Sequence, residues 1–229
     1  MRVRVGTSGY AYREWKPGFY PQDLPAGEML RFYAERLPTV EINNTFYRMP
    51  SKKMLQGWSA EVPGEFCFAL KASRRITHFK RLKDVGTELD FLFSNLLVLG
   101  ERLGPVLFQL PPGFAKDLSR LRDFLAQLPP GRSHALEFRD PSWFDGEVYA
   151  VLRDNQVALC VTEDEDGETP LVPTARFGYV RLRRDYSRDE LQTWAKRLRT
   201  EPWEEAFVYF KHETAAPNVA LEFGTLLGA

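Results

Sequence analysis

Ten polar side chains with acid, base or anion-holding chemistry recur at one kind of position, the carboxyl end of a β-branched or aromatic run. They are Glu41, Asn43, Lys71, Gln109, Glu137, Arg139, Thr162, Arg181, Tyr209 and Lys211. Lys71, Arg139, Arg181 and Lys211 are cations, and Glu41 and Glu137 are carboxylates. A cation excess in a partly enclosed place favours an anionic ligand, and arginine suits the planar geometry of phosphate or carboxylate. Two carboxylates in such a place act as general acid and base when their surroundings separate their pKa values. Lys71 and Arg139 would stabilise developing negative charge. Glu41, Lys71, Glu137 and Arg139 are therefore the candidate catalytic residues.

Further candidates surround this group. The Thr7-Ser8 segment and Arg181 and Lys211 would hold the anion, with Asn43, Gln109 and Tyr209 beside them. Tyr10, Tyr12, Trp15, Phe19 and Tyr20, with Phe46, Tyr47 and Trp143, form an aromatic rim suited to stacking on a base or sugar. Of these, Tyr10, Trp15, Tyr47 and Trp143 are taken as substrate-binding. From Lys71 to Lys83 the chain carries Lys71, Arg74, Arg75, His78, Lys80, Arg81 and Lys83, with no acid before Asp84. The bland alternatives are a solvated basic face and a structural ion network. The second would be a costly choice, because buried ion pairs stabilise poorly.

The elements that must position these residues follow from periodicity. Strand-like runs fall at 2–6, 39–43, 66–71, 106–110, 134–139, 157–162, 178–183 and 207–212. Helical-period segments fall at 27–37, 51–60, 84–103, 116–128, 147–155, 187–200 and 216–227. Ser51 starts a polar first turn, and Ser187 with Glu190 forms a capping box. Pro38, Gly104-Pro105 and Pro129-Pro130-Gly131 mark stops. Strand–helix alternation argues a parallel sheet, and eight repeats point to an α/β fold with a single (β/α)8 TIM-type barrel over residues 1–229. An irregular segment at 163–177 takes the place of the helix after the sixth strand. The rival is an open doubly wound sheet. Against it, Gly6-Thr7-Ser8-Gly9 only weakly resembles a dinucleotide loop and opens no helix.

Strand parity sharpens the barrel expectation. Val40, Ile42, Phe66, Phe68, Leu136, Phe138, Val161 and Phe210 share the uniformly large apolar face and belong beneath the helices. The opposite face is small near the strand start and polar near the strand end. In a closed barrel that face points inward and meets at the carboxyl-terminal mouth, where barrel sites lie.

Composition excludes several classes. The 229 residues are 44% hydrophobic, 14% aromatic and 27% charged, which is globular rather than disordered. Formal net charge is zero, which argues against a generally nucleic-acid-binding or membrane-surface protein. Cys67 and Cys160 read as buried hydrophobes, too few for a disulfide framework. His78, His134 and His212 lack metal spacing, and the acidic run 163–168 fails the calcium-loop pattern at Pro173. No G-x-S-x-G elbow occurs. No metal or cofactor is expected. The start, Met1-Arg2-Val3-Arg4-Val5, carries no signal-peptide stretch, and no apolar run spans a membrane, so a cytoplasmic protein is expected.

Several motifs together resemble the YecE-like family, a TIM-barrel-type family of uncharacterised proteins. They are Gly6-Thr7-Ser8-Gly9-Tyr10, Trp15, Phe19-Tyr20-Pro21, the run from Val40 to Arg48, Phe68-Ala69-Leu70-Lys71 with Thr77-His78, Leu107 to Pro112, and Glu137-Phe138-Arg139 with Ser142-Trp143. Thr77 and His78 join the substrate-binding candidates on this resemblance. It implies a barrel and no assigned activity. Two places depart from the family pattern. Arg181-Leu182 is followed by Arg183-Arg184 where the family shows His-Gly, and Phe210 by Lys211-His212 where it shows Asn-Asn.

Two functions are consistent with these residues. The first is a metal-independent enzyme acting on a small anionic substrate, phosphorylated or not, at the barrel mouth. The second is a non-catalytic nucleotide or nucleic-acid binding module using loop 71–83 and the aromatic rim, recognisable by steep salt dependence. A two-carboxylate glycosidase ranks third, since the runs holding Glu41 and Glu137 stand far apart around the ring.

Overall fold

The computed structural model describes residues 1–48 and 50–228. Among these the strands are β1 (Arg2–Ser8), β2 (Thr39–Ile42), β3 (Cys67–Lys71), β4 (Leu103–Gln109), β5 (His134–Glu137), β6 (Ala158–Asp164), β7 (Gly167–Glu168), β8 (Phe177–Leu182) and β9 (Glu205–Phe210). The α-helices are α1 (Met29–Ala34), α2 (Lys52–Glu61), α3 (Gly86–Leu96), α4 (Leu118–Leu125), α5 (Gly146–Asp154), α6 (Arg188–Thr200) and α7 (Ala216–Leu227). Parallel pairing runs β1, β2, β3, β4, β5, β6, β8, β9, and β9 pairs back to β1, so the sheet closes on itself. The open doubly wound alternative is thereby set aside. β7 is a two-residue strand paired antiparallel to the end of β6, and this hairpin opens the segment where a helix is missing.

Side-chain parity sorts the apolar residues into two separate clusters. Val40, Ile42, Phe66, Phe68, Leu136, Phe138, Val161 and Phe210 all belong to the larger one, between strands and helices. Cys67, Ala69, Leu107, Ala135, Ala158, Cys160, Tyr179, Phe207 and Tyr209 fill the barrel itself. Small residues dominate β3 and β6 in that interior, leaving room for the two tyrosines and for charged groups above them. Gly6 shows how tight the wall is. A Cβ there would stand 2.1 Å from the Thr39 carbonyl oxygen, so only glycine lets β1 lie against β2. Gly6 belongs to a strand, not to a phosphate-cradling loop.

Caps decide several helix starts. The Ser51 hydroxyl accepts from Met54 N, and Ser187 with Glu190 completes the capping box. Asp117 and Asp145 cap α4 and α5; α4 starts two residues later than expected and α5 one residue earlier. The segment expected as one helix from 84 to 103 is α3 followed by a tight turn, Leu97–Arg102, with Gly100 at φ 54°. That left-handed residue ends the helical path and turns the chain into β4.

Candidate functional site

A buried ion network occupies the upper barrel. Arg181 projects inward from β8 and is 3% exposed. Its Nη2 donates to Glu41 Oε1 at 2.9 Å and its Nη1 to Glu137 Oε2 at 2.5 Å. One guanidinium therefore joins β2 to β5 across the barrel, which answers how two distant carboxylates meet. Glu41 also accepts from Ser8 Oγ at 2.7 Å, Asn43 Nδ2 at 3.1 Å and Tyr179 OH at 2.8 Å. Glu137 accepts from Gln109 Nε2 at 2.7 Å and pairs with Arg139 Nη2 at 2.5 Å. Both carboxylates are completely buried.

The electrostatics of this network revise the acid–base expectation. Burial opposes ionisation of Glu137, but Arg181, Arg139 and Gln109 outweigh it and hold its pKa down at about 2. Burial likewise opposes ionisation of Glu41, and Arg181, Ser8 and Tyr179 again lower its pKa. The same guanidinium pulls both pKa values in the same direction, so the pair is not separated into an acid and a base. Glu41 and Glu137 are anchors for Arg181, and Arg181 is committed to them rather than free for a substrate.

Above this layer lies a second tier of cations. Arg139 reaches Asp164 Oδ2 at 3.3 Å and Arg183 reaches the same oxygen at 3.6 Å. Lys71 Nζ stands 4.2 Å from the centre of the Phe46 ring. Among the described residues, Lys71 and Lys211 have no carboxylate within 4.0 Å. The Nε of Arg183 is buried without an acceptor. Burial lowers the Lys71 pKa to about 8, Arg181 adding to the fall while Glu137 and Glu41 oppose it. Burial, then Arg181 and Arg139, lower the Arg183 pKa, and burial, then Arg183, lowers that of Lys211. Burial is the largest cause of each shift, and the neighbouring cations add to it.

A cleft of about 750 Å³ opens beside this tier, lined by Ser8, Tyr12, Trp15, Asp164, Arg183 and Lys211 among others. Its outer wall also carries Glu14, Glu165, Asp166 and Glu213, all exposed. Solvent and salt screen those acids and the exposed Lys211 alike, and the less exposed Arg183 is screened less.

The remaining candidates divide. Trp15 lines the cleft while its Nε1 donates to Glu213 O at 3.1 Å. Thr7 is a correction: its hydroxyl donates to Gly9 O and bonds Tyr33 OH, beneath the helices. Parity is the reason, since Ser8 points inward and its neighbour cannot. Tyr10 turns toward Tyr33, with ring centroids 6.4 Å apart, and packs on the outer core. Trp143 is fully buried, stacked on Phe138 at 4.6 Å, with its Nε1 donating to Phe114 O. Tyr209 is also fully buried, its hydroxyl bonded to Thr39 Oγ1 at the start of β2 rather than at the mouth. Thr162 is buried beside Cys160. Thr77 is buried and bonds His78 Nδ1 at 2.9 Å, and the His78 ring meets Phe46 edge-on at 4.9 Å. Tyr47 is 68% exposed at the rim.

The basic segment is less free than its composition implies. Arg75 and Lys80 both bind Glu88, at 2.8 and 2.9 Å. Arg74 instead sits between Tyr47 and the exposed Phe79, 5.5 and 5.2 Å from their ring centres.

Four residues of the site were missed as candidates: Tyr12, Asp164, Tyr179 and Arg183. Arg183 and Tyr179 share the inward parity of Arg181, which was signal enough. Asp164 continues the parity of Thr162, but β6 runs two residues past its expected end. Among the described residues no three His, Cys, Asp or Glu side chains are grouped so as to hold a metal ion. No helix is long and apolar enough to cross a membrane among the same residues.

Comparison with known proteins covers the whole chain. A family described as "Protein of unknown function DUF72" matches residues 4–229. The UPF0759 protein YunF of Bacillus subtilis is 24% identical over 233 residues, covering 92% of this chain and 78% of that protein. The crystal structure of a DUF72 family protein from Thermotoga maritima is 26% identical and covers 100% of both chains, with a TM-score of 0.84. A DUF72 family protein from Enterococcus faecalis is 18% identical, covering 100% of this chain and 98% of that one, with a TM-score of 0.77. The whole-chain resemblance expected from the motifs is thus found under the DUF72 description, and the structures share the barrel.

Proposed function

The chain belongs to the DUF72 family, and from that premise we propose that it is an enzyme acting on a small anionic substrate held at the barrel mouth. The observation that carries this reading is the under-compensated upper tier. Arg183 and Lys211 line the cleft, Lys71 and Lys211 have no carboxylate within 4.0 Å among the described residues, and Arg183, like Arg181 below it, keeps a buried Nε without an acceptor. A phosphate or carboxylate placed among them supplies the missing acceptors and relieves the mutual repulsion of the cations.

The division of labour follows from depth. Glu41, Glu137, Gln109 and Arg181 form a rigid floor. Arg139 belongs to both levels, since one nitrogen holds Glu137 and another reaches Asp164. Lys71, Arg183 and Lys211 contact the substrate, and Ser8, Tyr12 and Trp15 shape its pocket. Of the positions that depart from the YecE-like pattern, Arg183-Arg184 and Lys211-His212, Arg183 and Lys211 are cations of this tier, so this member's anion preference is its own. Isothermal calorimetry with inorganic phosphate and oxalate tests the reading. Binding that weakens with added salt is expected; no binding of either anion to the folded protein overturns it.

One observation favours a second reading, a nucleotide or single-stranded nucleic-acid site. Tyr47 and Phe79 are 68% and 70% exposed and flank the Arg74 guanidinium. Such a stack offers π-faces to a base beside a cationic mouth. Oligonucleotide binding with a steep salt slope, lost in Tyr47→Ala, would favour it over the enzyme.

A further inference from the structure

The cleft of about 750 Å³ is not lined by cations alone. Five carboxylates, those of Glu14, Asp164, Glu165, Asp166 and Glu213, line it together with Arg183 and Lys211. Asp164 is turned to the cations and paired with Arg139 and Arg183. The other four acids have no cation within 4.0 Å among the described residues, and Lys211 has no carboxylate within that distance. One cleft thus holds unpaired charges of both signs, and a plain anion answers only one of them. His212 also lines the cleft, but its ring is engaged: Nδ1 accepts from Ala215 N at 3.0 Å, and Nε2 stands 2.9 Å from Asp185 Oδ1.

The aromatic wall of the cleft is fixed in place. The Tyr12 hydroxyl donates to Ser8 O at 3.1 Å, and its ring centre stands 4.9 Å from that of Trp15. Gly9 makes this possible, because at φ 90° a Cβ there would meet the Tyr12 ring at 2.7 Å. Trp15 in turn donates to Glu213 O, which ties the first loop to the segment before α7. On the hairpin after β6, Asp166 N donates to Asp164 Oδ1 at 3.2 Å, and Glu165 and Asp166 sit at its tip. An aromatic face beside carboxylates is the surrounding that an ammonium group prefers.

We propose that the cleft takes a zwitterion, a small free carboxylate or phosphate that carries a primary amine. Its anionic end lies on Arg183 and Lys211. Its ammonium lies on the Tyr12 ring and the outer acids Glu14, Glu165, Asp166 and Glu213. The proposal rests on the reading of the mouth as an anion site and adds the second group that the substrate carries. Arg183 sets the anionic end, since its buried Nε lacks an acceptor and its one carboxylate is shared with Arg139. Charge balance sets the other end. A plain anion would add to an existing excess of carboxylates in the lining, whereas a zwitterion adds no net charge and meets both signs.

Calorimetry at low salt compares two pairs of ligands matched in shape, in which an ammonium replaces a methyl group. The pairs are aminoethyl phosphate against propyl phosphate, and γ-aminobutyrate against pentanoate. In whichever pair binds, the amine is expected to bind about tenfold tighter, the scale of one cation–π contact plus one exposed ion pair. Neutralising the outer acids together, by Glu14→Gln, Glu165→Gln, Asp166→Asn and Glu213→Gln, should bring the two members within about threefold of each other. All four side chains are exposed, so this variant should fold, and thermal unfolding checks that it does. Vesicles of phosphatidylethanolamine should not retain the wild-type protein; retention overturns the assignment to a free compound. Equal affinities within the pairs, with phosphate or oxalate still bound, overturn the zwitterion and leave the anion reading standing. A preference that survives in the folded variant places the amine elsewhere and overturns the proposal as well. Failure of both phosphate and oxalate to bind removes the anion reading and this proposal together.

Discussion

The two tiers of the barrel mouth are built from the same residue types and behave oppositely. In the lower tier, Arg181 holds Glu41 and Glu137, and every carboxylate oxygen has a donor. In the upper tier, Arg183 shares a single carboxylate with Arg139, and Lys71 has no carboxylate partner among the described residues. An arginine two residues further along the chain, just past the end of β8, thus meets fewer carboxylates. The lesson is that inward direction and strand-end position do not make a residue functional; the count of partners it meets does. Buried charge is tolerated where it is matched, and left unmatched only where something else completes it.

The comparison breaks most sharply at Arg181. Arg181→Met leaves two buried carboxylates without a counter-ion, which costs about 3–5 kcal/mol. Urea denaturation should show a large loss of stability or a chain that fails to fold. A variant of near wild-type stability would mean that the lower tier is not the keystone described here.

Acid should weaken the lower tier only below the ordinary glutamate range. The folded pKa of Glu137 is about 2, below the ordinary glutamate value of roughly 4.3 in the unfolded chain. A depressed carboxylate stabilises the fold above the unfolded value and loses that contribution as pH falls through the folded one. The stake is on the order of 3 kcal/mol, lost between about pH 4.3 and about pH 2. Urea midpoints measured across that window should fall steeply for the wild type. Glu137→Gln should be less stable at neutral pH but show a flatter acid profile; a parallel profile would assign the acid sensitivity elsewhere.

Arg183 carries the opposite expectation. Arg183→Met removes a cation from a crowded group, so the fold should lose little stability. Phosphate or oxalate affinity should drop about ten- to a hundredfold, the usual cost of a charge-assisted hydrogen bond. Unfolding of this variant, or unchanged anion affinity by calorimetry, would erase the difference between the tiers.

The smallest effect belongs to the rim. Tyr47→Ala removes a ring that is mostly in solvent, so stability should change by less than about 0.5 kcal/mol. Phosphate binding should be unaffected. A loss confined to nucleotides would extend the upper tier outward to the Arg74 stack.

Much of this architecture is legible in the chain itself. Alternation of runs and periodic segments foretells a closed barrel, and strand parity separates Val40, Phe68 and Phe138 from Glu41, Ala69 and Glu137. Side-chain direction along a strand is a local property with a period of two, so it survives without knowledge of neighbours. The errors arise where a local feature depends on something distant. Thr7 and Ser8 look equivalent as hydroxyls, but one meets Tyr33 of α1 and the other Glu41 of β2. Trp143 looks like a rim aromatic and is instead a buried plate against Phe138.

What the sequence by itself determined, then, is which side chains point into the barrel and at which end they gather. Only the tertiary structure decided which of them are already spoken for. Arg181 finds Glu41 at a separation of 140 positions and Glu137 at a separation of 44. No local pattern encodes such meetings, because they arise when the ring closes and distant strands bring their inward faces to one point. The same closure leaves Lys71 without a carboxylate within 4.0 Å among the described residues and Arg183 sharing one with Arg139, a shortage invisible in any single strand.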